Sequence, residues 1–173
     1  LAAYPGAPRE ILDKLADVPA NPAAAAPARA NPAARDNLSE LFFAAKGDER
    51  RLILLNLDAV AEAKPHRLSH PPSSEAIRRL ESAALQRNTG EFARVLERTL
   101  GLSRKLAERI SSDPGGEPIV IAARALGMSA SVLHRILLLL NPAIGQSIER
   151  VYDLARLFDD LTFAASEQML SIW

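Results

Sequence analysis

Arg98-Thr99-Leu100-Gly101-Leu102-Ser103 recurs 26 residues downstream as Arg124-Ala125-Leu126-Gly127-Met128-Ser129, and Arg109-Ile110 recurs as Arg135-Ile136. Each copy reads as the end of one helix, a turn at the glycine and the start of a new helix at the serine. Glycine suits the left-handed position just past a helix end, and a serine hydroxyl can accept from the first free amides of the next helix. A helix-turn-helix unit returning at this period marks a helical repeat. The fold expected is all-α: a HEAT-like, right-handed α-solenoid of about ten short helices paired as antiparallel hairpins. Stacks of this kind usually work as binding surfaces.

Upstream, a weaker pattern has nearly the same period, with Pro32 matching Pro5, Leu38 matching Ile11 and Phe42 matching Leu15. Between its two copies lies an Ala/Pro-rich stretch in which Asn-Pro-Ala-Ala occurs at 21–24 and again at 31–34. Asparagine caps a helix and proline is tolerated at its first position, so 20–32 reads equally as short helices or as a linker. Lys46-Gly47-Asp48 is a tight stop and restart, leading into a helix with apolar positions at Leu52, Ile53, Leu55, Leu57 and Val60. Pro65, Pro71 and Pro72 then mark the expected boundary between N-terminal repeats at 1–64 and a helical-repeat domain at 73–173, in one continuous stack.

Downstream, Ile77, Leu80 and Ala84 line one helix, Phe92, Val95, Leu96 and Leu100 the next, and Leu102, Leu106 and Ile110 a third. Asp113-Pro114-Gly115-Gly116-Glu117 is a turn followed by a helix start; it lacks the Gly-Lys-Ser/Thr ending of a phosphate loop. The helix from Ser129 is apolar around most of its circumference. It is expected to be central, with Val132, Leu133, Ile136, Leu137 and Leu140 in the core. Val151, Leu154, Phe158 and Leu161 form an amphipathic stripe, and a last helix is expected over 162–173.

Of the 173 residues, 48% are hydrophobic and 24% charged, ordinary for a folded domain, and only 5% are aromatic, so aliphatic side chains must fill the core. Basic and acidic residues balance at 21 each, which removes any global field towards nucleic acid or anionic membrane. Locally, residues 74–110 carry eight basic and five acidic side chains, and 111–173 carry four and seven. The absence of cysteine excludes disulfides, a thiol nucleophile and cysteine metal sites, and fits a reducing cytoplasm. No apolar run is long enough to cross a bilayer. The chain opens on Leu1 without a secretory signal, as expected for a segment of a longer protein.

The segment Gly116-Glu117-Pro118, Arg124-Ala125-Leu126-Gly127-Met128 and Arg135 to Ser147, above all Leu140-Asn141-Pro142-Ala143-Ile144-Gly145-Gln146-Ser147, resembles a bacterial, alphaproteobacterial-type family known as a domain of unknown function. The resemblance is strongest over 74–162. It implies a helical, HEAT-like fold and brings no activity, substrate or catalytic residue with it. Leu1 to Asp17 also resembles short bacterial helical repeats with Pro-x-x-Pro before an apolar helix.

The function expected is a non-enzymatic, cytoplasmic protein-interaction scaffold without cofactor or metal. Its candidate contact residues are Arg94, Arg98, Arg104, Lys105 and Arg109, a basic run with Glu91, Glu97 and Glu108 interleaved. Arginine suits such interfaces because its stem packs and its fork donates. The alternative is a nucleic-acid-binding helix-turn-helix at 121–137, with Ser131, His134 and Arg135 facing bases. Four consecutive leucines, Leu137 to Leu140, argue against it, since a groove-reading helix needs a hydrated, basic face. His66 and His70 have the spacing of metal ligands, but flanking prolines break the helix that this would require. Asp159 and Asp160 are adjacent and point apart on a helix, so they suit a solvated face.

Overall fold

The computed structural model describes residues 32–61 and 74–173, with side chains from 37–57 and 74–173. These residues belong to one compact unit, Asn31–Trp173. Among them the chain is all-helical: α1 (Pro32–Ala44), α2 (Gly47–Ala61), α3 (Ser74–Leu85), α4 (Thr89–Leu100), α5 (Arg104–Ser112), α6 (Glu117–Ala125), α7 (Ala130–Leu139), α8 (Pro142–Gly145), α9 (Ile148–Asp160) and α10 (Phe163–Ile172). The expected boundary around 65–72, and the readings at 1–31, lie outside the described residues.

The recurring motif forms the same turn twice. Gly101 and Gly127 sit at φ 68° and 61°, in the left-handed region. In each turn the amide just after the glycine donates back five residues, Leu102 to the Glu97 carbonyl at 3.2 Å and Met128 to the Ala123 carbonyl at 3.0 Å. The α3–α4 turn repeats the device without glycine: Asn88 donates to the Ala83 carbonyl at 2.9 Å, and Arg87 occupies the left-handed position at φ 53°. The restarts differ. Ser103 accepts from the Leu106 amide at 3.3 Å, whereas the Ser129 hydroxyl lies 3.0 Å from that of Ser131 and caps nothing.

Two packing patterns follow. The first is local, with α3 on α4 and α4 on α5. The second reaches across the chain: α3 lies on α7, α6 meets α5, α7, α9 and α10, and α10 returns to pack on α2, α6 and α1. The centre is α6. From Glu117 to Ala125 every side chain but Arg124 is buried. A helix apolar all round has no face to give to water, so it must be wrapped by others.

The centrality expected of the helix after Ser129 therefore belongs to α6. In α7, Leu133, Ile136 and Leu137 are buried, as is Leu140 just beyond it, but Val132 is only half-buried and Leu138 is 49% exposed. Its apolar run is one turn wider than its core face. In α2 the buried apolar side chain is Leu54, with Ile53 and Leu57 half-buried, while Leu52 and Leu55 face solvent.

Candidate functional site

The α4–α5 ridge follows from amphipathicity. Phe92, Ala93, Val95 and Leu96 of α4 and Ala107 and Ile110 of α5 are buried, which turns the intervening charged positions outward. Arg94, Arg98, Arg104 and Lys105 are exposed, and Arg109 is half-buried. The row is not a bare positive surface. Arg94 pairs with Glu91 one turn earlier. Arg104 donates Nε to Glu108 at 2.6 Å and lies 3.6 Å from Glu97. Arg109 grips Glu40 with both Nη1 and Nη2, at 2.5 and 3.1 Å, and its guanidinium sits 4.1 Å from the Phe43 ring centroid. Among the described residues, Arg98 and Lys105 form no ion pair.

These contacts shift titration. The hydrogen bond from Arg109, with the charges of Arg109 and Lys105, holds the Glu40 carboxyl below its ordinary value. The hydrogen bond from Arg104 to Glu108, with the charges of Glu108 and Glu97, lifts Arg104 above its own. Arg109 thus acts inwardly, clamping α5 to α1, more than as a free contact.

A second cluster, legible only in part from sequence, lies at the meeting of α2, α6 and α9. Arg50, 6% exposed, spends its whole guanidinium on the protein. Its Nε donates to the Phe42 and Ala45 carbonyls at 3.1 and 3.0 Å, and Nη2 to the Phe43 carbonyl at 3.0 Å, so it caps the open end of α1. Nη1 and Nη2 hold both oxygens of Asp113, at 2.7 and 3.0 Å, and Nη1 also reaches Glu117 at 3.0 Å. Burial works against this charge, but the hydrogen bonds and charges of Asp113 and Glu117 outweigh it and raise Arg50 above its ordinary value.

The acidic partners are themselves fixed. Asp113 Oδ1 accepts from the Gly115 and Gly116 amides at 2.9 and 3.1 Å, which shapes the Asp-Pro-Gly-Gly turn. Glu117 accepts from Arg150, whose Nε also donates to the Gly115 carbonyl at 2.8 Å. Asn141, the α8 cap, donates its amide to the Asp113 carbonyl at 3.2 Å. The turn is closed to side chains: Gly116 stands at φ 86°, and an added Cβ would meet Leu154 at 2.7 Å and Ile144 at 2.8 Å. Two cations and two anions balance here, with every contact internal. Such an arrangement fixes which helices meet. The turn and helix start at 113–117 were readable; the ionic partners were not, because Arg50 lies 63 and 67 residues from Asp113 and Glu117.

In the helix-turn-helix reading, Ser131 is exposed, His134 is half-buried, and the exposed Arg135 is engaged by Glu81 of α3. Asp159 and Asp160 are both exposed, and Asp160 pairs with Arg51. His66 and His70 lie outside the described residues. No protein-family model matches the chain, and no curated protein or solved structure is significantly similar to it.

Proposed function

We propose that this chain is a non-enzymatic protein-interaction scaffold of the cytoplasm, a HEAT-like right-handed helical stack that uses the α4–α5 ridge to meet an acidic protein face. The observation that carries the reading is the division of polar chemistry in the structure. The buried ionisable cluster is consumed internally by all five Arg50 donors, while unpaired charge, including Arg98 and Lys105, lies on exposed helix faces. The paired left-handed turns at Gly101 and Gly127 support the repeat, and membership of the bacterial family it resembles is proposed with it. In this reading α10, by returning to α2, closes the stack into a short bundle. No described helix is long and apolar enough to cross a membrane.

The test is capture of protein partners by the tagged chain from native lysate, with and without nuclease. Partners that survive nuclease and weaken with the double variant R98E/K105E support the ridge. A signal that vanishes with nuclease replaces the scaffold with the helix-turn-helix at 121–137.

A further inference from the structure

The ridge arginines are largely neutralised by their own carboxylates; the outer face of α9 is not. Ile148 and Tyr152, one helical turn apart, are 73% and 67% exposed, the two most exposed large apolar side chains among those described. Glu149, Asp153 and Asp159 are exposed on the same helix, and among the described residues none forms an ion pair. Arg156 is the single cation exposed on α9. The inner face is anchored by buried Leu154, Leu157 and Phe158, so the outer residues are presented on a rigid element. An exposed isoleucine–tyrosine pair, rimmed by carboxylates free of ion pairs, has the layout of an interface with an apolar centre and a charged rim.

We infer that the outer face of α9 docks a basic amphipathic helix of a partner protein. That helix would cover Ile148 and Tyr152 with apolar side chains and set lysines or arginines against Glu149, Asp153 and Asp159. Charge complementarity selects this occupant, because Glu149, Asp153 and Asp159 outnumber Arg156 three to one on the exposed face, a net negative rim that a basic helix matches. The inference rests on the scaffold reading and adds a second contact face to the ridge.

The test is a titration of the isotope-labelled 173-residue chain with an 18-residue Leu/Lys amphipathic peptide, followed by amide chemical shifts, beside a matched Leu/Glu peptide. Expected are shifts concentrated at 147–160 and saturable binding that weakens at least tenfold in I148S/Y152S and in E149K/D153K. Binding should also weaken several-fold as salt rises, because exposed pairs are screened over about 8 Å at physiological ionic strength. Because these side chains are exposed, the substitutions leave the fold in place, which the unperturbed remainder of the spectrum checks. Shifts that avoid α9, equal binding of the Leu/Glu peptide, or an unchanged I148S/Y152S titration overturns the inference. Lysate capture separates the two proposals: partners retained by I148S/Y152S but lost by R98E/K105E leave the scaffold standing without α9. No partner at all removes the scaffold itself.

Discussion

The three left-handed turns make a series in which the sign of a stability change can be set before measurement. At Gly101 and Gly127 an added Cβ would meet nothing within 4 Å, so alanine there is penalised only through the backbone. A left-handed residue with a Cβ costs about 1–2 kcal/mol, offset by about 0.4–1 kcal/mol from the stiffer unfolded chain. G101A and G127A should each lose roughly 0.5–1.5 kcal/mol. Arg87 holds the same position at φ 53° with a side chain attached and lies exposed, so R87G should run the other way and gain roughly 0.5–1 kcal/mol. At Gly116 the backbone term is joined by methyl contacts of 2.7 and 2.8 Å with Leu154 and Ile144, and overpacking adds about 1–3 kcal/mol. The expected order of stability is R87G, wild type, G101A with G127A, then G116A. Urea unfolding reads it as shifts in midpoint at constant slope. If R87G lost stability while G101A was neutral, backbone strain would not govern these turns, and the common account of all three would fall.

The hub offers a sharper contrast. R50M should destabilise by about 3–5 kcal/mol, because it leaves buried Asp113 without a cation and Glu117 with Arg150 alone, whereas R104A on the exposed ridge should cost under about 1 kcal/mol. Chemical denaturation of the two variants decides, and equal losses would remove the hub from the account. In α7, L133A should cost about 2–5 kcal/mol and L138A within about 0.5 kcal/mol, measured the same way, since one is fully buried and the other half in water. Glu40 should titrate below the ordinary carboxylate value, and R109Q should return it there, as followed by carboxyl carbon shifts. Because its folded value is lowered, the pair contributes stability above the unfolded value, lost as pH falls through the folded one.

What could be read in the sequence was what residues decide locally. Gly101 and Gly127 announce their turns because glycine is favoured at a left-handed position, and Leu133, Ile136, Leu137 and Leu140 announce a buried stripe by their spacing. Arg87 escaped because arginine carries no turn signal; the same geometry is imposed there by the helices on either side. The apolar arc expected of α2 was too broad: Ile53 and Leu57 pack on the core, but Leu52 and Leu55 are as apolar as the buried Leu54, and only tertiary packing distinguishes them. The hub stayed hidden for another reason: charges more than 60 residues apart have no period. In the basic run the interleaved Glu91, Glu97 and Glu108 already pointed to local pairs; spacing could not show Glu40, which lies 69 residues from Arg109.

The return of α10 to α2 also orders events in time. The pairings of α3 with α4 and α4 with α5 join neighbours and close quickly, whereas the α2–α10 pairing must bring together segments about a hundred residues apart, which slows its formation. During synthesis, therefore, α2 leaves the ribosome long before its cover exists, because α10 is made about a hundred residues later. Until α10 arrives, α2 exposes apolar surface that a chaperone would have to shield while translation is under way.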